Sequence, residues 1–328
     1  MLLSLLLLGC GSPTEAPAPG EPRSGLTIAV IPKGTTHEFW KSIHAGAVKA
    51  ERDLNAEGNA VRVIWQGPLR EDDRDTQIQV VENFVSRNVD GIVLAPLDAR
   101  ALIRPVESAT AAGIPVVIID SGLDGAAYSS FVATDNHAGG VSAAHHLAKL
   151  LDGRGNVILM RYAVGSASTE DRERGFLTTL EQDHPGVRVI SSTEYAGPTR
   201  DTAYRTAQAL MNRFGERVDG IFAVNESSTI GMTMALREIG KAGGQVAMIG
   251  FDAGSQSIED LKRGDVQALV VQDPMRMGYE GVLTAVKVIR GETVPPRIDT
   301  GVVLVTSENM NDEQVRKLLY PPLQEYLE

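Results

Sequence analysis

The most constraining feature of the sequence is a regular alternation of two kinds of segment from Leu26 to about Val271. Short apolar runs of strand length are followed by longer stretches with helical periodicity. The runs predicted to be strands are 26–31, 61–65, 91–95 and 115–119 in the first half and 156–160, 187–192, 220–224 and 246–251 in the second. Strands that alternate with helices form parallel sheets covered on both faces, so the sequence predicts an α/β fold.

The length of the chain indicates two domains. At 328 residues it exceeds the size of about 250–300 residues at which one apolar core splits. The halves share one plan, and the similar segments 89–92 and 218–221 each open a strand after a polar helix. We expect a helix at 275–290, an extended segment at 298–305 that crosses between the halves, and a terminal helix at 312–328. The sequence therefore predicts two doubly wound parallel-sheet lobes joined by a multi-crossover hinge.

The amino terminus differs from the rest of the chain. Residues 1–8 are almost purely apolar but too few to cross a bilayer, and Cys10 follows at once. Residues 13–25 are rich in Pro, Gly, Ala and Glu and lack apolar periodicity. We predict a signal peptide at 1–9 and a disordered tether at 10–25 with lipid on Cys10, since segment 7–10 resembles the bacterial lipobox. The alternative is an ordinary signal peptide whose cysteine has no role.

Charge and residue counts exclude several classes of protein. The formal net charge is −11, and no Lys- or Arg-rich block could neutralise a row of phosphates, so we expect no nucleic-acid partner. Cys10 is the only cysteine and the six histidines lack metal-ligand spacing, so we expect no disulfide, metal or cofactor. The sequence also lacks the Gly-x-Ser-x-Gly, Gly-x-x-x-x-Gly-Lys and His-Glu-x-x-His motifs of common enzyme classes.

Three polar residues end apolar runs of the predicted sheets: Asp120, Asn225 and Asp252. Ligands of open α/β sheets bind outside the carboxyl ends of the strands, so these side chains are candidate ligand contacts. A carboxylate can accept hydrogen bonds from two adjacent hydroxyls, and an amide both donates and accepts, which suits a polyol. The alternative is that each residue only closes its strand and caps the next helix.

Aromatic and basic side chains add further candidates. Phe39 and Trp40 begin the first helix, and aromatic rings cover the apolar C–H faces of sugars well. Trp40 also belongs to a stripe of apolar residues with ordinary helical spacing, so Phe39 is the better candidate for an exposed wall. Arg172 is a candidate donor to hydroxyl oxygens, although Arg and Glu interleaved on a helix also form solvated faces.

Four segments in this order carry a resemblance to a known family. They are Val-Ile-Ile-Asp at 117–120, Ala-Thr-Asp-Asn at 133–136, Arg-Glu-Arg-Gly-Phe at 172–176 and Ile-Gly-Phe-Asp at 249–252. From Leu26 to about Asn309 the chain resembles the ribose-type periplasmic sugar-binding proteins, which have the type I periplasmic binding fold. The resemblance implies an amino-terminal lobe of 26–134 plus 273–300, a carboxyl-terminal lobe of 135–272 plus 301–310, and a helical tail at 311–328.

The resemblance also implies roles for individual residues. Phe39 and Trp40 would sandwich a sugar from the amino-terminal lobe, and Asp120 would bind its hydroxyls. The residues that would close from the other lobe are Arg172, Asn225, Asp252 and Gln272. His37 lies where the family often has an amide, and Ser121 lies where the ribose binders have a second arginine, so both are candidate contacts. Ser121 lacks the forked donor of the ribose binders, and residues 195–198 lack a clear counterpart to an aromatic of their second lobe, so the resemblance implies a pentose, a hexose or a similar polyol without singling out ribose.

The predicted function follows from this resemblance. We expect a monomeric substrate-binding lipoprotein, periplasmic or extracytoplasmic and attached to the membrane through its lipid only, that delivers its sugar to an ABC transporter permease. It would perform no catalysis, although Asp120 and Asp252 could be imagined as a glycosidase pair. The alternative function is a sensor that presents a sugar or an autoinducer to a chemoreceptor or sensor kinase. A LacI-type regulator is disfavoured, since an apolar segment and a Pro-rich tether replace its basic helix-turn-helix.

Overall fold

The computed structural model describes residues 25–125 and 128–327, in which helices and strands alternate as predicted. The predicted signal peptide and Cys10 lie outside the described residues. The first stretch contains β1 (Leu26–Ile31), α1 (Glu38–Ala56), β2 (Val61–Trp65), α2 (Arg74–Ser86), β3 (Gly91–Leu94), α3 (Ile103–Ala111), β4 (Val116–Ile119) and β5 (Ser130–Ala133). Strands β3 and β4 are buried along their whole length, as expected for a sheet covered on both faces.

The second stretch repeats this plan. It contains α4 (Asn136–Leu150), β6 (Gly155–Met160), α5 (Ala167–Asp183), β7 (Val187–Ser191), α6 (Arg200–Phe214), β8 (Gly220–Ala223), α7 (Glu226–Glu238), β9 (Ala247–Phe251), α8 (Ser255–Arg263) and β10 (Ala268–Gln272). The sequence pattern does not single out β5, which has four residues, or α4, which is rich in Ala, Gly and His. Their apolar periodicity is too weak to predict an element by itself.

The last part of the chain follows the prediction in its extended segment and departs from it in its terminal helix. It contains α9 (Pro274–Ile289), β11 (Arg297–Asp299), β12 (Val302–Thr306), α10 (Glu313–Leu319) and α11 (Leu323–Leu327). The segment expected at 298–305 is extended and crosses between the lobes as predicted, since β11 pairs with β5 and β12 pairs with β10. The single terminal helix expected at 312–328 is wrong. Pro321 and Pro322 separate two short helices, because proline has no N–H to continue a helix.

The strands form two six-stranded sheets, whose orders are β11-β5-β4-β3-β1-β2 and β12-β10-β9-β8-β6-β7. Every recorded pairing is parallel except β10 with β12. We call the two units the first lobe and the second lobe. The chain passes between them after β5, after β10 and between β11 and β12. Three passages of this kind allow the lobes to open and close as a hinge.

Helix packing determines how the sheets present their loops. In the first lobe α1 packs on α9, and in the second lobe α4 packs on α5. The second pair can approach closely because residue 140 is Gly: a Cβ atom there would lie 2.0 Å from the carbonyl oxygen of Arg172. This packing places the start of α5 beside the space between the lobes. Within the described residues, no helix has the length and apolarity needed to cross a bilayer.

Candidate functional site

A cavity lies between the carboxyl ends of the parallel strands of the two lobes, and we call it the interlobe cavity. Its walls leave a volume of about 30 Å³ for the centres of water-sized molecules, so the two lobes lie close together around it. The first lobe contributes Lys33, His37, Phe39, Trp40, Glu71 and Asp120. The second lobe contributes Tyr162, Ser168, Thr169, Arg172, Asn225, Glu226, Asp252 and Gln272.

Eight of the nine predicted contact residues lie in this wall, and Ser121 is the exception. Ser121 is fully buried beside the cavity, and its hydroxyl accepts a hydrogen bond of 3.1 Å from the backbone N–H of Ser168 in the opposite lobe. The structure therefore places Ser121 behind the wall, where its side chain joins the two lobes, and its contact with a ligand stays a prediction.

Asp120 and Asp252 occupy equivalent positions in the two lobes. Each follows a buried strand, and the backbone N–H groups donate to Val132 and Val270 respectively, at 3.0 and 2.9 Å. Both adopt the left-handed backbone conformation, with φ of 61° and 71°. This conformation is uncommon for residues other than glycine, and it turns both carboxylates out of their sheets toward the interlobe cavity.

The Asp120 carboxylate is paired with a lysine that the sequence analysis missed. Lys33 lies 3.1 Å from Oδ2 of Asp120, and both side chains are buried. The Lys33 ammonium also donates to the hydroxyls of Ser166 and Ser168 in the second lobe, at 3.3 and 3.1 Å. Asp120 thus brings to the cavity a neutralised carboxylate that still has acceptor capacity for hydroxyls.

Arg172 is buried, so the alternative of a solvated helix face is wrong for this residue. Its Nε donates to Oδ1 of Asn136 at 2.8 Å, and one terminal nitrogen donates to the carbonyl oxygen of Val224 at 2.8 Å. The guanidinium also lies 3.7 Å from the ring centroid of Phe251. Burial lowers the pKa of Arg172. These contacts fix the guanidinium plane and hold a planar donor against the cavity.

Asp252 and Gln272 form a second polar pair. Nε2 of Gln272 donates to Oδ1 of Asp252 at 2.7 Å, and the backbone N–H of Glu226 donates to Oδ2 at 3.1 Å. Burial raises the pKa of Asp252 to about 6 even though Arg172 opposes the shift. Oε1 of Gln272 is buried and has no hydrogen-bond partner. An unpaired buried acceptor costs free energy, so a hydroxyl donated by a ligand would be favourable here.

Asn225 caps a helix and also lies where a ligand contact is predicted. It lies in the cavity wall, and its Oδ1 also accepts from the backbone N–H of Ser228 at 3.2 Å and caps α7. Its Nδ2 donates to the hydroxyl of Ser227 at 3.2 Å. Its carbonyl oxygen is therefore occupied by the cap, and the amide nitrogen is the part with a second hydrogen to donate.

The two aromatic residues predicted for the wall contact each other. The rings of Phe39 and Trp40 meet edge to face, with centroids 5.0 Å apart and planes at 87°. Two rings in mutual contact leave no space between them, so a sugar would lie against this pair from one side, and the contact with a sugar stays a prediction. Trp40 is buried, whereas Phe39 is half-buried and exposes part of its ring. Phe39 is therefore the side chain with free aromatic surface in this pair.

A buried ion pair fixes His37 and Trp40. Nδ1 of His37 lies 2.6 Å from Oε1 of Glu71, and the Trp40 indole N–H donates to the same oxygen at 2.7 Å. Burial by itself would lower the pKa of His37, but the Glu71 carboxylate outweighs it and raises the pKa to about 9. Burial likewise opposes ionisation of Glu71, yet His37 and the other donors hold its pKa at about 2. Both groups are therefore charged at neutral pH.

Six wall residues were missed from the sequence: Lys33, Glu71, Tyr162, Ser168, Thr169 and Glu226. Ser168 and Thr169 lie in the first turn of α5. Lys33 and Tyr162 each lie two residues beyond a strand, and Glu226 follows Asn225 directly, so a search that reached a few residues past each strand would have found them. Glu71 lies in the loop between β2 and α2, where no apolar run marks its position. Within the described residues, no group of three or more His, Cys, Asp and Glu side chains is arranged to hold a metal ion.

A second, larger cavity adjoins the interlobe cavity, and Phe39, Glu226, Asp252 and Gln272 line both. Its outer wall includes residues 318–321 and 323 of the carboxyl-terminal tail. Helix α10 packs on β10 of the second lobe, and α11 packs on α1 of the first. The tail thus contacts both lobes beside the ligand site.

Comparisons with solved structures agree with this arrangement. A carbohydrate transporter solute-binding protein from Agrobacterium radiobacter, solved in complex with D-arabinose, is 36% identical with a TM-score of 0.86, covering 91% of this chain and 100% of the other. An ABC transporter solute-binding protein from Agrobacterium vitis with bound D-fucose is also 36% identical, with a TM-score of 0.84 and coverage of 90% and 100%. Both identities extend over nearly the whole chain.

Sequence comparisons give the same result. The D-ribose/D-allose-binding protein of Pseudomonas aeruginosa is 28% identical over 323 residues, which span 94% of this chain and 97% of that protein. The model of the periplasmic binding protein domain matches residues 28–293, which include the strands from β2 to β10 and the wall residues from Lys33 to Gln272. The chain therefore belongs to the periplasmic binding protein domain family.

Proposed function

We propose that this protein is an extracytoplasmic solute-binding protein that captures a monosaccharide and delivers it to an ABC permease. The observation that carries the proposal is the interlobe cavity, in which carboxylates, a guanidinium, amides and an aromatic ring converge from both lobes. Sugars present hydroxyls that both donate and accept, together with apolar C–H faces, and this wall has partners for each. The relatives named for arabinose, fucose, ribose and allose support the same class of ligand.

The charges of the wall favour an uncharged ligand. Asp120 is paired with Lys33, Glu71 with His37, and Glu226 with Arg200 at 3.1 Å. Asp252 and Arg172 are the remaining charged groups and attract each other. An acidic or basic ligand would leave a buried charge without a partner, which is strongly unfavourable. A neutral pentose or hexose avoids this penalty.

We propose that binding is the whole activity of this chain. The carboxylates of the cavity are held in ion pairs or accept hydrogen bonds from the protein, which suits ligand binding better than proton transfer. Closure of the lobes over the ligand would then produce the form that a permease recognises. Incubation with aryl glycosides should release no product, and measurable hydrolysis would contradict this part of the proposal.

The cellular setting remains as the sequence predicts it. We propose that the mature chain is a monomer held on the outer side of a bacterial cytoplasmic or outer membrane by lipid on Cys10. The relatives named as transport proteins favour a permease as the partner over a sensor. Mass spectrometry of the membrane fraction should find lipid on Cys10, and a Cys10→Ala variant should lose the membrane association.

A ligand screen tests the proposed function directly. Melting temperatures are measured with D-arabinose, D-ribose, D-fucose and D-allose, and calorimetry then gives the affinity of any sugar that stabilises the protein. A ligand that binds only the folded state raises the free energy of unfolding, by about 2.7 kcal/mol when its concentration is one hundred times its Kd. The melting temperature rises as a consequence. Stabilisation by at least one sugar supports the proposal. No response to any pentose, hexose or polyol would refute it.

A further inference from the structure

One loop of the second lobe bonds to the first lobe at several positions. It comprises residues 162–168, between β6 and the first turn of α5, and we call it the closing loop. Its bonds to the first lobe are Tyr162 with Glu71, Val164 with Arg74, Gly165 with Ala99, Ser166 with Lys33, and Ser168 with both Lys33 and Ser121. These bonds can form only when the lobes are closed against each other.

Glu71 is the point at which the closing loop meets the ligand wall. The Tyr162 hydroxyl donates to Oε2 of Glu71 at 2.6 Å, and the other carboxylate oxygen receives His37 and the Trp40 indole N–H. All four side chains line the interlobe cavity. The carboxylate fits against residue 34 because that residue is Gly: a Cβ atom there would lie 2.8 Å from Cγ of Glu71.

We propose that Glu71 is a positioning residue that couples occupation of the interlobe cavity to closure through Tyr162. The inference rests on the proposed function and adds to it a specific connection between ligand and lobes. A ligand in contact with His37 and Trp40 restricts the two donors that orient Glu71. Glu71 then offers a fixed acceptor to Tyr162, so the ligand and the closing loop favour the same arrangement.

The variant Tyr162→Phe tests this connection, since it removes the hydroxyl and keeps the ring. We expect the affinity for the stabilising sugar to fall by about tenfold, mostly through faster dissociation, as for the loss of a hydrogen bond to a charged group. The melting temperature without ligand should stay unchanged, because the bond forms only on closure. The matched control is Tyr195→Phe in the same lobe, whose hydroxyl contacts Arg161 outside the closing loop and should not affect affinity.

Glu71→Gln supplies the second arm of the experiment. It should also weaken binding, and the double variant with Tyr162→Phe should be no weaker than Glu71→Gln alone, because both changes remove one coupled unit. Small-angle scattering should show less compaction on adding sugar to Tyr162→Phe than to the wild type. The inference would be overturned by an unchanged affinity in Tyr162→Phe, or by a loss of ligand-free stability as large as its loss of binding free energy. In either case, sugar binding by the wild type would still uphold the proposed function. A wild type that binds no sugar refutes both.

Discussion

At the scale of single residues, the cavity wall is built from buried charges that stabilise one another. Lys33 with Asp120 and His37 with Glu71 are ion pairs within the first lobe. Asp252 in the second lobe is different, because its recorded bonds are to neutral donors and its pKa is raised by burial. A carboxylate of this kind is available to bind a ligand, but its burial lowers the stability of the folded protein, as is common at binding sites.

Asp252→Asn should separate stability from binding. The pKa of Asp252 rises from 3.8 to about 6 on folding, so ionisation destabilises the folded protein increasingly between these values and fully above them. The neutral amide should therefore stabilise the ligand-free protein at pH 8 by about 1–3 kcal/mol and have no such effect at pH 3.5. Gln272 can turn its unpaired Oε1 toward the new amide nitrogen.

Sugar affinity should fall in Asp252→Asn by tenfold or more, on the order of 1.5–3 kcal/mol, because a charged acceptor is lost. Denaturant unfolding at the two pH values and calorimetry measure the two effects. Asp219→Asn is the comparison, since Asp219 lies outside the cavity wall. Equal stability of Asp252→Asn and wild type at pH 8 would show that the carboxylate is not penalised by burial.

At the scale of elements, the contact between α4 and α5 fixes Arg172. Asn136 at the start of α4 accepts from Arg172 on α5, so the spacing of the two helices sets the position of the guanidinium. Gly140 permits that spacing. Helix packing far from the ligand therefore has a direct effect on a wall residue.

Gly140→Ala should move Arg172 as well as strain the core. The added methyl group would meet a backbone carbonyl at 2.0 Å, so the helices must separate. We expect a loss of stability of about 1–3 kcal/mol, as for other overpacked cores, together with weaker sugar binding. Ser142→Ala on the same helix should leave both properties within about 0.5 kcal/mol of wild type. Urea unfolding measures the stability of both variants, and calorimetry measures their affinity for sugar. An affinity equal to that of the wild type in Gly140→Ala would contradict the inference that helix spacing positions Arg172 for binding.

At the scale of the whole molecule, the carboxyl-terminal tail connects the lobes in addition to the three chain passages. Val315 and Leu319 of α10 are buried in an apolar cluster of the second lobe. Arg52 of α1 donates to the carbonyl oxygen of Glu325 at 2.7 Å and lies over the ring of Tyr326, whereas no side chain of α11 is buried. The tail is therefore firmly held on one lobe and lightly held on the other.

Removal of residues 321–328 should favour opening of the lobes. It deletes α11 and keeps α10, so the melting temperature should change by no more than a few degrees. Sugar affinity should fall several-fold, because contacts present in the closed arrangement are lost. Calorimetry gives the affinity, and small-angle scattering should show less compaction on adding sugar than in the wild type. Arg52→Ala should reproduce part of the effect, and an unchanged affinity in both variants would show that the tail does not influence closure.

The sequence by itself determined the α/β alternation, the two-lobed plan and the polar residues that end buried strands. The periodicities of strands and helices are local properties of the sequence. Residues that follow parallel strands lie at one edge of their sheet regardless of loop conformation, which places Asp120 at that edge in the first lobe and Asn225 and Asp252 at it in the second. The sequence pattern could not decide whether Asn225 caps a helix, contacts a ligand or does both.

Only the tertiary structure decided which side chains meet across the lobes. Tyr162 and Glu71 are 91 positions apart and Lys33 and Ser166 are 133 apart, and no periodicity relates them. The edge-to-face packing of Phe39 on Trp40, the burial of Ser121 and the division of the tail by Pro321 and Pro322 likewise depend on how the lobes and helices pack. Sequence pattern specifies which faces are buried, whereas pairing between loops is set by the shape of the assembled chain.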